Sequence, residues 1–88
     1  MAWSIEFERK ARRSFDKLAD PIAVRIAGAL KRVAQSENPR DHGHALSGEW
    51  AGSWRYRVGD YRVIARIEDG RMVILVIAVG HRREVYGR

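Results

Sequence analysis

The chain has 88 residues, which is the size of one small domain with a modest hydrophobic core. Its composition, 45% hydrophobic and 32% charged, predicts a folded globular protein and excludes extensive disorder. The absence of cysteine excludes a disulfide framework, a thiolate metal site and a cysteine nucleophile. The net charge of +6 comes from 17 basic residues, 14 of which are arginine. Because guanidinium groups match phosphates bidentately, this charge favours a nucleic-acid or other polyanionic partner.

The first residues alternate in polarity and carry early charges, unlike a secretory signal peptide. No apolar run approaches the length of a membrane span. We therefore expect a cytoplasmic protein with no membrane partner.

The amino-terminal part of the chain predicts a strand followed by a helix. Apolar and polar side chains alternate over residues 3–7, as they do in a half-buried strand. Ala11, Phe15 and Leu18 then recur with helical spacing, while basic residues cover the remaining positions. This pattern predicts a first helix over residues 8–19.

A second helix is predicted over residues 21–35. Asp20-Pro21 ends the first helix and starts the second, with Asp20 as N-cap and Pro21 at the first helical position. So short a connection implies an antiparallel helix pair. Gly28 interrupts the second helix, and a close approach between the two helices would explain it.

The middle of the chain predicts a β-hairpin after an irregular segment. Residues 36–53 lack a periodic pattern, and we expect Leu46 and Trp50 to reach the core from this segment. Gly59-Asp60 then lies between two alternating runs, which is typical of a two-residue hairpin turn.

This turn fixes the register of the two strands. It pairs Val58 with Tyr61 and then Arg57 with Arg62. Like charges directly across a strand pair are destabilising. The fold gains nothing from this repulsion, whereas a site that binds a polyanion needs the two positive charges side by side.

The remaining elements complete an α+β fold. The third strand continues to about residue 67, Asp69-Gly70 makes a second turn, and the apolar run that follows predicts a central strand over residues 71–79. We predict one domain over residues 1–88 with the order β-α-α-β-β-β, in which a helical hairpin packs on one face of an antiparallel sheet. The helix-covered face bears Trp54, Tyr56, Val63 and Ala65. The other face, a shallow open concavity beside the carboxy-terminal tail, bears Arg55, Arg57, Arg62 and Ile64.

Arginines that converge on one sheet face suit phosphodiester chemistry. They hold the phosphate and stabilise the charge that develops on its oxygens, while a tyrosine or histidine moves protons. RNA supplies its own nucleophile, the 2′-OH, so a ribonuclease of this kind needs no metal and no other cofactor. His42 and His44 lack a third ligand at suitable spacing, and we expect no metal site. The candidate site residues are Arg55, Arg57, Arg62, His81, Arg82, Arg83 and Tyr86.

Three segments, residues 46–48, 54–64 and 79–86, resemble the RelE family of toxins within the RelE/ParE superfamily. The resemblance extends over nearly the whole chain and implies a RelE-like fold. It implies the toxin of a type II toxin–antitoxin module, a ribosome-dependent mRNA endoribonuclease that inhibits translation. In this family the 2′-OH attacks the scissile phosphate and leaves a 2′,3′-cyclic phosphate and a 5′-OH. The implied partners are the ribosome, mRNA and an acidic, RelB-like antitoxin.

The resemblance also implies roles for individual residues. Arg57 and Arg62 would hold and stabilise the scissile phosphate, and Arg82 would assist the leaving group. Tyr86 would activate the 2′-OH or stack on a base.

The proton acceptor is open between two residues. Arg55 stands where the well-studied member has a lysine, and both lysines of that pattern read as arginine here. Because arginine stays protonated, the acceptor is either Tyr86 or His81. Arg55 and Arg83 would then contact RNA without moving protons.

Two alternatives remain. The ParE branch of the superfamily shares the hairpin but poisons DNA gyrase and does not cut RNA. A non-enzymatic RNA- or ribosome-binding domain would use its arginines as phosphate contacts only. The presence of Arg82 together with Tyr86 favours cleavage.

Overall fold

The structure is a computed structural model that describes residues 3–85. These residues form two helices on one side of a five-stranded sheet. The helices and strands in chain order are β1 (Ser4–Phe7), α1 (Arg9–Asp16), α2 (Asp20–Gln35), β2 (His44–Ala45), β3 (Trp54–Val58), β4 (Tyr61–Glu68) and β5 (Val73–His81). Neither helix of this part of the chain is long and apolar enough to cross a membrane.

The strand order in the sheet is β1-β5-β4-β3-β2. The predicted central strand is confirmed, because β5 lies between β1, to which it is parallel, and β4, to which it is antiparallel. The prediction of an antiparallel sheet is wrong at the β1 edge, where the pairing is parallel, and the two-residue strand β2 was not predicted. A ladder of two residues leaves no periodicity in the sequence, and strand alternation does not specify the neighbour or its direction.

The register of the hairpin is confirmed. Val58 pairs with Tyr61, and Arg57 pairs with Arg62. Gly59 has φ 60°, the positive value that the first central position of this turn requires. The two arginines therefore project from the same face of neighbouring strands.

The helix boundaries differ in detail from the prediction. α1 ends at Asp16, and α2 begins at Asp20 with Ala19 as its N-cap, so the prediction of Asp20 as N-cap is wrong by one position. The explanation offered for Gly28 is also wrong. A Cβ built on Gly28 would have only Arg32 Nη1 within 4 Å, at 3.7 Å, so no other helix approaches it.

A β-bulge in β5 sets which side chains face the helices. Its register against β4 shifts between Ile64 and Ala65. Before the shift, Ile74 and Val76 lie in the helix-covered core, and after it Val79 does. The inward positions of β5 therefore change from even to odd numbers, which inverts the alternation at the carboxy-terminal end of the strand.

The opposite face of the sheet has its own small core. Ile64, Ala78 and Val85 are buried together, and Leu46 and Trp50 pack against them. Leu46 and Trp50 thus pack against buried residues as predicted, but both are only partly buried and lie on the face opposite the helices. The expectation of an open concavity is wrong at its centre, because the irregular segment and the tail cover Ile64.

Candidate functional site

Arg57 and Arg62 are cross-strand neighbours in different environments. Arg57 is exposed, whereas Arg62 is 8% exposed. Nη1 of Arg62 donates hydrogen bonds to the backbone oxygens of Gly59, at 3.0 Å, and Tyr61, at 2.9 Å. Arg62 therefore holds the hairpin turn with one nitrogen, while Arg57 is exposed at the neighbouring position.

The tail brings Arg82 to the same turn. The backbone N–H of Arg82 donates to the oxygen of Asp60 at 2.8 Å. The N–H groups of Glu84 and Val85 donate to the oxygen of His81 at 2.8 and 3.0 Å, and Val85 is buried. This anchored turn of backbone holds the exposed side chain of Arg82 beside the hairpin tip.

Arg55 lies farther along the same face. It pairs across strands with Ile64 on one side and His44 on the other, and its side chain is partly buried. Its Nε is buried, and no group within residues 3–85 accepts a hydrogen bond from it. An unmet buried donor of this kind costs about 1–3 kcal/mol.

The structure separates His81 from these arginines. His81 pairs with Tyr61, and the two rings meet edge to face with centroids 5.5 Å apart. Tyr61 packs against the helix-covered core, so His81 lies on the helix side of the sheet, opposite Arg62. Its Nδ1 accepts a hydrogen bond of 3.2 Å from the backbone N–H of Arg83, whose own side chain is exposed.

Tyr86, the other predicted proton acceptor, lies outside the described residues. The predicted residues that the structure brings together at the hairpin tip are Arg57, Arg62 and Arg82. In residues 3–85, no three His, Asp or Glu side chains converge in an arrangement that would hold a metal ion.

The charge-neutralising interactions found in residues 3–85 lie away from the hairpin tip. Arg40 donates bidentate hydrogen bonds of 3.0 and 2.6 Å to Asp69, and this lowers the pKa of the Asp69 carboxyl. The hydroxyl of Tyr56 donates to the oxygen of Pro39 at 2.8 Å, and burial raises the pKa of Tyr56 to about 12. In this part of the chain, no acidic side chain forms an ion pair with Arg57 or Arg62.

A cleft beside the hairpin adds two arginines that were not predicted as site residues. Arg25 and Arg32 of α2 line it together with Arg57. Their spacing of seven residues, with Gly28 and Ala29 between them, is the sequence signal that would have indicated a second helix face.

Comparison with known proteins identifies the class of protein that carries this site. A family model described as the ParE toxin of type II toxin–antitoxin system, parDE, matches residues 5–86. Toxin RelG of Mycobacterium tuberculosis is 33% identical over 91 residues, which cover 100% of both chains. The chain is thus similar along its whole length to toxins of the RelE/ParE superfamily.

Solved structures agree with this class. The RelBE2 toxin–antitoxin complex of Mycobacterium tuberculosis matches with TM-score 0.84 and 27% identity, covering 96% of this chain and 95% of the other. An E. coli RelE toxin with two arginine-to-alanine substitutions matches with TM-score 0.80 and 26% identity, covering 99% and 93%. This chain belongs to the ParE toxin family of type II toxin–antitoxin systems, within the RelE/ParE superfamily. The resemblance and the fold inferred from the sequence are confirmed.

Proposed function

We propose that this toxin is a ribosome-dependent mRNA endoribonuclease that inhibits translation. The observation that carries the proposal is the grouping of Arg57, Arg62 and Arg82 around one hairpin turn, without an acidic partner in residues 3–85. A grouping of cations at one exposed end of a sheet suits a phosphate whose negative charge grows during reaction.

The proposed reaction needs only proton transfer and charge stabilisation from the protein. The 2′-OH loses its proton and attacks the adjacent phosphorus, and the bond from phosphorus to the 5′-oxygen breaks. The 5′-oxygen takes up a proton, so the products are a 2′,3′-cyclic phosphate and a 5′-OH. Arg57 would contact the phosphate directly, and Arg82 would stabilise the leaving oxygen. Arg62 would hold the hairpin turn and contribute its positive charge from its largely buried position.

The proton acceptor in this proposal is Tyr86. His81 is the weaker candidate, because its ring lies on the helix side of the sheet and its Nδ1 already accepts the hydrogen bond from Arg83. A catalytic His81 would have to act from the face opposite Arg62.

The second candidate function is that of a DNA gyrase poison. It is favoured by the description of the family model as the ParE toxin. RNA cleavage is preferred because the similar toxins reported above carry RelE-type names and because the arginines group at the hairpin tip.

We also propose an acidic antitoxin as the binding partner of this chain. The Mycobacterium tuberculosis structure similar to it is a toxin–antitoxin complex, and the chain carries a net charge of +6 that an acidic segment would complement. Such a segment would wrap the toxin and neutralise the arginine face or displace the tail.

The deciding experiment is a cell-free translation reaction in which mRNA ends are mapped by primer extension. Wild-type toxin should produce new 5′ ends that require translating ribosomes. Arg57→Ala should reduce the rate by about 10²–10³-fold through lost charge stabilisation. The exposed Arg66 on β4 provides a matched control, and Arg66→Ala should cleave at the wild-type rate. Inhibition of gyrase without any mRNA cleavage would instead support the ParE-type activity.

The same reaction assigns the proton acceptor. Tyr86→Phe should slow cleavage by about 10²–10⁴-fold, as expected for the loss of one positioned acid or base. His81→Gln removes both ring nitrogens that could carry the proton, and it should have a small effect. Wild-type cleavage by Tyr86→Phe together with an inactive His81→Gln would reverse the two roles.

A further inference from the structure

A cleft of about 390 Å³ lies between α2 and the hairpin. Residues of this cleft, called the α2 groove, are Arg25, Gly28, Ala29 and Arg32 of α2 with Arg57 and Gly59 of the hairpin. We infer that the α2 groove is a second phosphate-binding subsite, which holds the RNA strand next to the proposed cleavage face.

The guanidinium groups of α2 lie within the groove. Nη2 of Arg25 is 3.2 Å from the position that a Cβ on Gly59 would occupy, so this side chain reaches from α2 to the hairpin turn. Nη1 of Arg32 is 3.7 Å from the corresponding position on Gly28, so it lies over the floor of the groove. Together with Arg57, these groups place three positive charges around one concave surface.

These charges lack neutralising partners in the described chain. The ion pairs in residues 3–85 use Arg12, Arg40 and Arg71, and none uses Arg25, Arg32 or Arg57. A cleft lined by one sign of charge focuses the field and concentrates counter-ions. The three positive charges repel one another while the groove is empty, and a bound anion relieves this repulsion.

The shape of the groove admits a nucleic-acid backbone. Gly28 and Ala29 project little beyond the helix, so the guanidinium of Arg32 lies close to the helix backbone at the floor of the groove. This side of α2 is free of the fold's packing needs, because the buried side chains of the helix (Ile26, Leu30, Val33 and Ala34) are other residues. The fold therefore does not require the arginines that stand there.

Continuity with the hairpin tip favours RNA as the occupant. Arg57 belongs both to the α2 groove and to the pair with Arg62. A strand whose scissile phosphate contacts Arg57 would run over the edge of β3, and its neighbouring phosphates would meet Arg25 and Arg32. The identity of the ligand rests on the proposed function, whereas the grouping of the arginines does not.

The test measures binding without cleavage. The probe is a short, fluorescently labelled single-stranded oligonucleotide with 2′-O-methyl groups, which lacks the attacking hydroxyl. Its affinity for the full-length toxin is measured by fluorescence anisotropy over a range of salt concentrations. The test variant is Arg25→Ala/Arg32→Ala, and the charge-matched control is Arg13→Ala/Arg66→Ala, which also removes two exposed arginines.

The salt dependence gives the number of phosphate contacts. Loss of two contacts to a single strand should make the slope of log affinity against log salt shallower by about 1.4, and weaken binding by about 10–30-fold near 0.1 M salt. The control pair should change the slope by much less. Gly28→Leu, which fills the groove without changing charge, should also weaken binding, whereas Gly28→Ala should have little effect.

Three outcomes would overturn the inference. The first is absence of binding by the wild-type toxin, and the second is an equal effect of the test and control pairs. The third is binding of an acidic polypeptide in place of RNA, which the exposed Val24 at the rim would also suit. If the binding of labelled poly-L-glutamate depends on Arg25 and Arg32 while the binding of the oligonucleotide does not, the groove binds an acidic protein. Oligonucleotide binding that depends on these arginines, in a toxin that never cleaves mRNA on ribosomes, would reject the proposed function and leave the groove in place.

Discussion

Arg57 and Arg62 pair across neighbouring strands, so the effect of truncating each side chain on the stability of the protein can be compared at one position of the sheet. Arg62 is 8% exposed and donates to two backbone oxygens, whereas Arg57 is exposed. Truncation to alanine should therefore destabilise the protein at position 62 and not at position 57. The structure assigns opposite consequences to two residues of identical chemistry.

The expected size follows from the contacts. A hydrogen bond from a charged donor contributes about 1.5–3 kcal/mol when both groups are shielded from water. The oxygens of Gly59 and Tyr61 regain water when the side chain of Arg62 is removed, so we expect Arg62→Ala to lower the free energy of unfolding by about 1–3 kcal/mol in total. In a domain of this size, each kcal/mol lowers the melting temperature by about 4–8 °C. Arg57→Ala should stay within about 0.5 kcal/mol of the wild type, as exposed substitutions usually do.

The assay is urea unfolding followed by far-ultraviolet circular dichroism, with melting temperature as a second readout. Arg62→Lys is the informative control, because it keeps the charge but its ammonium nitrogen lies one bond closer to the backbone than Nη1, the atom that donates to both oxygens. It should fall between the wild type and Arg62→Ala. Equal destabilisation by Arg57→Ala and Arg62→Ala, or an unchanged unfolding midpoint in Arg62→Ala, would refute the structural role given to Arg62.

Three further predictions concern Tyr56, Gly43 and Gly28. Because burial raises the pKa of Tyr56 to about 12 from an ordinary value of 10.0, its contribution to stability should be complete below pH 10.0 and lost as the pH rises towards 12. Unfolding curves between these pH values should show that the free energy of unfolding falls by about 1–3 kcal/mol. Tyr56→Phe should remove that pH dependence. Ionisation of Tyr56 near pH 10.0 in the folded protein, followed by its ultraviolet absorbance, would contradict this prediction. At Gly43, an added Cβ would lie 2.7 Å from the oxygen of Arg55 and 2.8 Å from the Tyr56 ring, so Gly43→Ala should cost about 1–3 kcal/mol. At Gly28 an added Cβ would meet only Arg32 Nη1, at an ordinary contact distance of 3.7 Å, so Gly28→Ala should stabilise the protein by about 0.5–1 kcal/mol. Equal melting temperatures for the two alanine variants would contradict both expectations.

The sequence alone determined the hairpin and much of the fold. Alternation with period two and a Gly59-Asp60 turn allow only one register that keeps Tyr56 and Val63 on the buried side, so the pairing of Arg57 with Arg62 followed directly. Helical periodicity likewise predicted the two helices, and an unbroken apolar run predicted the central strand. These features depend on residues close together in the chain.

The tertiary structure decided where the side chains of the proposed site lie. Continued alternation from Ile74 and Val76 would put His81 on the sheet face that bears Arg57 and Arg62. The bulge in β5 inverts the alternation, so His81 lies on the helix side instead. The sequence likewise did not show that Leu46 and Trp50 would cover Ile64 on the sheet face opposite the helices.

The α2 groove was hidden in the same way. Nothing in the spacing of Arg25 and Arg32 shows that Arg57 lies across from them. These arrangements come from contacts between distant parts of the chain, and many weak packing terms acting together select them. A periodic pattern can state which face of an element is apolar, but the neighbour that meets that face is set by the whole fold.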